Sequence, residues 1–413
     1  MKRRIMGAAL IILSAASLSY GREVDLDGAL ELANAGNPDL RIKQLEGRKK
    51  ELEVSRDRKA FLPVVSARTS YLPKENTDGD DGWAPTFVGA TLPLYTGGVR
   101  RANLAKSRID EEIQEREMSI LDLSVREQVV FQYFDILNTK KNIEVNVTLL
   151  ETLNKQRERL NGLYEGGRLI PKSELLKVES DILRAEAELY TYEQNLEVEK
   201  YNLKILLGLE MREELTLSVY DYQGIDLSLY EIESNVNTAL ALGNRADIER
   251  LRVQKAEQDV RIARAEFLPK IDAGAAYIAD EGYEDYENDY VATISATWKL
   301  FDWGSNFDNL NQSKIGLEQA EIESRRGLDS VELELRTEYA NMNSLYMLTE
   351  SEEKNLAIRE ENFRIDTMRY DNGLIGSFEY LDSVTKLSQA ESEFFRLQRD
   401  LVLSEIRYQD LLR

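Results

Sequence analysis

The sequence predicts a mainly α-helical fold with some β-strand, built from two copies of one unit. Motifs recur at a fixed distance along the chain, and long stretches repeat apolar residues every seven positions. Between these stretches, short segments alternate apolar and polar residues. Together these features predict long coiled-coil helices joined to two β-hairpins, with an internal duplication.

The duplication is marked by motifs at the strand ends. Phe61-Leu62-Pro63 recurs as Phe267-Leu268-Pro269, 206 residues later. The strand that ends at Tyr95 recurs with the same offset as the strand that ends at Phe301. One offset for separate motifs indicates a duplication rather than chance similarity. We therefore predict two repeats, at residues 22–208 and 231–413.

The N-terminus has the layout of a secretory signal peptide. Basic residues 2–4 precede an apolar run from Ile5 to Leu13, and small residues follow as far as Gly21. A membrane anchor helix would need a longer apolar span. We expect a signal peptide at residues 1–21 with cleavage after Gly21. No later apolar stretch is long enough for a membrane helix, so entry into a membrane would have to use strands.

Composition narrows the range of functions. The chain contains no Cys and no His, and its net charge is -22. Without these residues there are no disulfides or thiolate metal sites, no cysteine for a lipid anchor, and no imidazole ligand or base. We therefore predict no enzyme activity and no cofactor or metal. A hydrolase that uses paired carboxylates is the alternative class, but the sequence contains no pattern typical of a catalytic pocket. The excess of acidic residues argues against nucleic acid and anionic lipid as partners.

Helical spacing dominates outside the hairpins. Residues 26–60 predict two helices separated at Pro38, and we place the matching break of the second copy at Asp247-Ile248. The sustained seven-residue apolar repeat beyond the hairpins predicts supercoiled packing against neighbouring helices. The residues of this repeat are Val129, Ile136, Ile143, Leu150, Leu153, Leu160, Ile182, Leu189, Leu196, Leu203, Leu335, Met342, Leu356, Leu387, Phe394, Leu401 and Tyr408.

The hairpins are predicted at residues 63–96 and 269–302. Their strands have one apolar and one polar face, as Ile294, Trp298 and Leu300 illustrate, and this suits both a lipid-facing barrel and an ordinary half-buried sheet. No segment is left to cover the sheet, which favours the barrel. Four strands cannot close a barrel, so several chains must share one. The hairpin loops are acidic and are expected to be solvated tips; calcium binding is the alternative, although their spacing matches no defined calcium loop.

This arrangement resembles the TolC-like outer-membrane efflux proteins over essentially all of the mature chain. The resemblance is carried by the two Phe-Leu-Pro motifs, the strand exit Pro93–Gly98, and the turns Tyr164–Gly167 and Tyr370–Gly373. It implies a homotrimer in the outer membrane that spans into the periplasm. It also implies that residues 209–230 are the equatorial linker between the two repeats. The long helices would form a periplasmic α-barrel, and the hairpins a twelve-stranded transmembrane β-barrel.

The resemblance also implies a function and partners. The chain would be the passive export duct of a tripartite efflux or type I secretion system. Its partners would be a periplasmic adaptor (membrane fusion) protein, an inner-membrane RND, ABC or MFS transporter, and outer-membrane lipid. Drug efflux, metal export and protein secretion all stay open as its task. A periplasmic coiled-coil adaptor or scaffold that never enters the membrane is the alternative function.

A gate at two tip turns, residues 164–172 and 370–377, is a further implication. Glu379 and Asp382 lie three residues apart on one helix face, at positions that ring the narrow entrance in the family. In a trimer, six such carboxylates would converge, and their charges would favour cations in the pore. The alternative is that both only stabilise a helix N-terminus in solvent.

Other tip residues follow from the same resemblance. Tyr164, Glu174 and Tyr370 match positions that tie the closed tips together. The basic residue that some members place near the second tip glycine is replaced by Ile375, so Arg168 or Arg369 is the alternative for an ionic lock. The residues expected in the tip turns and at the adaptor contact are Gly167, Arg168, Gly373, Leu374 and Ile375.

Overall fold

The computed structural model describes residues 22–69, 71–72, 82–83, 86–167, 170–220, 224–227, 230–279 and 289–413. The predicted signal peptide lies outside these residues. So do Arg168 and the acidic hairpin loops, apart from the backbone of Asp289.

The described part of the chain is mainly helical, and its helices form two matching series. Each helix of the second series begins and ends 206 residues after its counterpart, except the last, which is offset by 205. The predicted fold class and its internal duplication are thus confirmed. None of the described helices has an apolar span sufficient to cross a bilayer. The helices are α1 (Leu26–Gly36), α2 (Pro38–Lys59), α3 (Val99–Glu165) and α4 (Lys172–Leu207), then α5 (Ile232–Leu242), α6 (Asn244–Ala265), α7 (Ser305–Asp371) and α8 (Ser377–Leu412).

The break between the first two helices lies at the same place in both repeats and has extended backbone at Asn37 and at Gly243, but different residues flank it. Pro38 takes the first position of α2, where its missing N–H is not needed. In the second repeat, Gly243 interrupts the helix with extended backbone between α5 and α6. The predicted break at Asp247-Ile248 was wrong, because both residues lie inside α6. An aspartate in the first turn stabilises a helix start instead of ending a helix.

The strands of the two predicted hairpins form one antiparallel sheet. Its strand order is β2 (Val64–Arg68), β5 (Thr86–Thr96), β7 (Lys270–Ala279) and β8 (Asp289–Thr297), so the hairpins lie side by side with β5 paired to β7. Within the described residues, β2 and β8 each have a partner on one edge only. The strands are β1 (Arg22–Val24), β2 (Val64–Arg68), β3 (Tyr71–Leu72), β4 (Gly82–Trp83), β5 (Thr86–Thr96), β6 (Leu215–Leu217), β7 (Lys270–Ala279) and β8 (Asp289–Thr297).

The fourth strand is shorter than its alternating pattern predicted. β8 pairs Thr297 with Lys270 and stops there, so Trp298 and Leu300 lie beyond the strand. The next residue of the partner strand would be Pro269, which has no N–H to continue the ladder. The indole N–H of Trp298 instead donates to the carbonyl oxygen of Phe267 at 3.1 Å.

The predicted seven-residue repeat is buried as its spacing requires. None of its positions is exposed in the described chain. Packing of these side chains removes apolar surface from water, which stabilises each helix far more than its intrinsic propensity does. The positions with no exposed surface are Val129, Ile136, Leu203, Leu335, Met342, Leu401 and Tyr408.

Contacts divide the chain into two compact units, each containing parts of both repeats. One unit consists of the chain up to Pro38 together with Val125–Ile225 and Leu345–Leu403. Its interior includes a cluster of Leu153, Val178, Ile182 and Ala185. The other unit contains the four-stranded sheet, and Val236, Leu335 and Tyr408 lie in one of its apolar clusters. Its segments are Asp39–Ser124, Asp226–Ser344 and Ser404–Arg413.

The predicted linker includes a short strand that the sequence did not indicate as paired. Leu215 and Leu217 of β6 are buried, and β6 pairs in parallel with β1. The phenol of Tyr133 donates to the carbonyl oxygen of Ser218 at 2.8 Å, just after β6. The N-terminal strand β1 therefore fixes the linker beside α3 within the first unit.

Candidate functional site

The first tip turn joins α3 to α4. Gly167 has φ +148°, a backbone angle that residues with a Cβ rarely adopt. Tyr164 is half-buried in the last turn of α3, and Glu174 is exposed in the first turn of α4. The amide of Glu174 donates to the carbonyl oxygen of Pro171 at 3.1 Å, which starts the new helix.

The second tip turn joins α7 to α8 through a left-handed glycine. Gly373 has φ +69°, and the amide of Leu374 donates to the carbonyl oxygen of Arg369 at 2.8 Å. This is the arrangement that satisfies the last carbonyls of a helix. The two residues that follow Gly373 differ in exposure: Leu374 is 72% exposed, whereas Ile375 is 7% exposed.

An aromatic cluster holds this turn against its helices. The ring of Tyr380 stacks on Tyr370 with 4.7 Å between centroids and 12° between planes. The ring of Phe363 also stacks against Tyr380, with 5.9 Å between the two ring centroids. Ile375 and Val384 complete the buried cluster. Of the predicted tip residues, Tyr370 and Ile375 thus meet, and they meet around Tyr380, which the sequence did not single out.

The two predicted gate carboxylates lie on α8. Glu379 and Asp382 are both exposed within the chain. Asp382 forms an ion pair with Lys386 of the next turn at 2.5 Å. Arg369, an alternative for an ionic lock, pairs with Asp366 of its own helix at 3.0 Å. Their roles at a gate stay predictions.

A polar ladder between α3 and α8 was missed by sequence reasoning. Arg399 pairs with Asp135 at 2.8 Å, Lys141 with Glu391 at 3.5 Å, and Ser392 hydrogen-bonds Asn142 at 3.2 Å. These contacts join residues about 250 positions apart, for which local spacing provides no signal.

Burial shifts the pKa values of two carboxyl groups in this ladder. It raises the pKa of Asp135 even though Arg399 lowers it, and it raises the pKa of Glu391 in spite of Lys141. The guanidinium of Arg399 also lies over the ring of Phe131 at 4.7 Å. The ladder therefore holds charged groups in a partly dehydrated position, where breaking one pair leaves its partner poorly solvated.

Comparison of the sequence with models of known protein families identifies the family of this chain. A model of the outer membrane efflux protein family matches residues 29–209 and 238–412, most of both repeats. The chain belongs to the outer membrane efflux protein family. Members of this family are efflux channels of the outer membrane, so this chain is an outer-membrane protein that spans into the periplasm. This location sets aside the alternative of a scaffold that never enters the membrane.

Solved structures agree with the family fold. The Campylobacter jejuni CmeC outer membrane channel has a TM-score of 0.79 at 16% identity, over 100% of this chain and 94% of that chain. The Vibrio cholerae outer membrane protein VceC has a TM-score of 0.70 at 18% identity, over 94% and 95%. The open state of the Neisseria gonorrhoeae MtrE outer membrane channel has a TM-score of 0.72 at 17% identity, over 94% and 88%. No curated protein sequence gave a significant match.

Family membership accounts for the exposed apolar residues of the sheet. Val65 of β2 is 72% exposed, and Ile294 of β8 is 79% exposed. Apolar side chains on a sheet face in an outer-membrane protein are stabilised by lipid contact, whereas in water they would favour aggregation. The sheet is therefore the part of the chain suited to the membrane.

Proposed function

We propose that this chain is one subunit of a homotrimeric export duct, working in a tripartite efflux or type I secretion system. The duct conducts small molecules or proteins passively and performs no bond chemistry. Its partners are a periplasmic adaptor protein and an inner-membrane RND, ABC or MFS transporter. Engagement of the adaptor opens the duct at its tip turns.

The open sheet is the observation that supports a shared barrel. Within the described residues β2 and β8 are paired on one edge only, and both expose large apolar side chains. Unpaired backbone groups cost several kcal/mol each in hydrocarbon. Pairing β8 of one copy with β2 of the next satisfies both edges. Three copies of the four-stranded sheet then form a twelve-stranded barrel.

The tip turns support the gate. Leu374 and Phe378 are 72% and 77% exposed, so the second turn presents apolar surface suited to an adaptor. Glu379 and Asp382 lie in the first two turns of α8, so their carboxylates are next to this surface. Movement of the second turn against its aromatic cluster would therefore move these charges as well.

Cross-linking tests the shared barrel. The chain has no cysteine, so introduced pairs have no background. One cysteine replaces Val65 in β2, and a second replaces successive residues of β8. Inside one chain these strands are three spacings apart, about 14 Å, which exceeds the reach of a disulfide. Any disulfide must therefore join different copies. We expect covalent dimers and trimers when the second cysteine occupies one particular position of β8.

A matched control uses two strands that pair within the chain. Ala90 of β5 lies opposite Ala275 of β7, so cysteines at these positions should leave the chain monomeric on a denaturing gel. Monomers at every β8 position would refute the shared barrel. The assembled protein should also conduct ions across a planar bilayer, and its failure to do so would refute the duct.

A further inference from the structure

A basic cavity lies at the end of the sheet where helices replace strands. Its volume is about 380 Å³, and it is lined by residues of the β5–α3 connection and of the end of α6. Thr96, the last residue of β5, pairs with Lys270, the first residue of β7. The two connections therefore meet at the same end of the sheet.

Three arginines line this cavity without acidic partners. Arg101 comes from α3, and Arg261 and Arg264 come from the last turns of α6. No carboxylate of the described chain pairs with them, and no Asp or Glu lines the cavity. Arg261 donates to the side-chain oxygen of Gln258 at 3.2 Å. In a chain with 75 acidic and 53 basic residues, such a cluster is a local reversal of charge.

Small residues keep the space between the arginines open. Gly97 has φ +65°, and a Cβ there would lie 2.8 Å from the carbonyl oxygen of Ala265. A Cβ on Gly98 would meet nothing within 4 Å. The β5–α3 connection therefore approaches the end of α6 closely at Gly97, and open space remains beside Gly98.

The other repeat does not reproduce the cluster. At the 206-residue offset, Arg101 corresponds to Phe307, Arg261 to Ser55, and Arg264 to Arg58. Both repeats form the same helices, so the fold itself does not require three cations at this place. The cluster is a property of one site.

We propose that this cavity binds the phosphate of an anionic phospholipid headgroup in the periplasmic leaflet of the outer membrane. Guanidinium groups donate paired hydrogen bonds that match phosphate oxygens. The site lies where the membrane strands end, at the depth of the headgroups, and in this respect it rests on the proposed placement of the sheet. The net negative charge of the chain repels such lipids elsewhere, which confines binding to this cavity.

The test measures lipid binding to the full chain in a neutral detergent. Purified, delipidated protein is titrated with phosphatidylglycerol, with phosphatidylcholine and with inorganic phosphate, and bound lipid is counted by native mass spectrometry. We expect phosphatidylglycerol to bind more tightly than the other two. The double variant R261Q/R264Q should weaken this binding by about tenfold or more, since hydrogen bonds to charged groups contribute strongly. R101Q, on the other helix, should weaken it in the same direction.

The control removes the same number of charges from the matching helix of the other repeat. Arg58 and Lys59 lie in the last turn of α2. R58Q/K59Q should bind phosphatidylglycerol like the unchanged protein. Equal losses in both double variants would overturn the proposal, because general charge would then explain the binding.

Two other outcomes would also overturn it. If inorganic phosphate binds as tightly as phosphatidylglycerol, the cavity holds a free anion instead of a lipid. If R261Q/R264Q separates the subunits while lipid binding is unchanged, the arginines serve a contact between copies. Lipid counting in detergent does not require conduction, so failure of the duct would be seen separately in the bilayer recordings.

Discussion

Tyr370 and Tyr380 face each other across the second tip turn, with ring centroids 4.7 Å apart and planes inclined by only 12°. The contact joins the last turn of α7 to the first turns of α8, on either side of Gly373. Tyr380 is 9% exposed, whereas its neighbour Phe378 is 77% exposed. The turn that is proposed to move is thus held by one buried ring.

Replacing Tyr380 should loosen this turn. Truncation of a buried aromatic ring costs about 3 kcal/mol through lost burial and the cavity left behind. In Y380A we therefore expect amide hydrogen exchange around residues 370–380 to accelerate by about 100-fold. The open probability in single-channel recordings should rise, because the tip opens more often.

The control is the exposed ring two residues earlier. F378A should change exchange little, because surface substitutions usually shift stability by less than about 0.5 kcal/mol. Unchanged exchange in Y380A would show that the ring stack does not hold the turn.

Removing the proposed gate carboxylates should reduce preference for cations. In E379Q/D382N each subunit loses two charges, and a unit charge near a passing ion contributes about 1 kcal/mol in water. We expect the cation-to-anion permeability ratio to fall by about fivefold, and block by multivalent cations to weaken. The reversal potential in a salt gradient measures the first effect.

A second pair of exposed carboxylates provides the control. Glu186 and Glu188 lie on α4, away from either turn, and E186Q/E188Q removes the same charge. Its selectivity should stay unchanged. Equal effects of the two double variants would mean that overall charge, and not the tip, sets the selectivity.

The sequence predicted those parts of the fold that repeat. The fixed offset located both hairpins, and the seven-residue spacing located buried residues such as Ile136 and Met342. The end of β8 was missed, because it depends on the absent N–H of Pro269 in the partner strand. β1 was missed as well, since three residues are too few to show alternation.

The candidate site was predicted less completely. Gly373 follows from turn chemistry, since only a residue without a Cβ readily takes its backbone angle. The exposure of Leu374 and the burial of Ile375 do not, because neighbouring residues in a turn share no periodicity. The pairing of Arg399 with Asp135 spans 264 residues, and no local pattern records it.

Glu199 provides a pH-dependent test of burial in the first unit. One carboxylate oxygen of Glu199 accepts a hydrogen bond from the hydroxyl of Thr139 at 2.9 Å. The other oxygen is buried without a partner among the described residues. Burial raises the pKa of Glu199, although the hydrogen bond from Thr139 lowers it. The folded state therefore binds this proton more tightly than the unfolded state does.

The sign of the effect follows from this difference. The free energy of unfolding should fall as the pH rises from the ordinary carboxyl pKa of 4.5 to the raised pKa of the folded state. E199Q lacks the charge and should be more stable by about 1 kcal/mol at pH 8, because burial costs a neutral amide less hydration free energy than it costs a carboxylate. At pH 5 the gain should be smaller. Unfolding at the two pH values measures both.

The control carboxylate is two residues away. Glu197 is exposed and pairs with Lys200 at 2.7 Å, so E197Q should show no comparable gain at pH 8. A less stable E199Q at pH 8 would contradict the inference that the charge of Glu199 is poorly solvated.

Trp303 occupies a backbone conformation that suits glycine. Its φ is +60°, and its counterpart in the first repeat is Gly97, with φ +65°. The left-handed conformation costs a residue with a Cβ about 1–2 kcal/mol. Trp303 is 90% exposed, and its ring contacts Phe301 with 5.0 Å between centroids. Little packing within the described chain offsets the strain.

Replacing Trp303 by glycine should therefore stabilise the isolated protein in detergent by about 1 kcal/mol, because relief of strain exceeds the entropy that glycine adds to the unfolded chain. The reverse exchange in the first repeat, G97A, should destabilise, since its Cβ would lie 2.8 Å from the carbonyl oxygen of Ala265. Thermal unfolding of both variants checks the pair. A W303G protein that is less stable would contradict this inference, because the indole would then make a stabilising contact that outweighs the backbone strain.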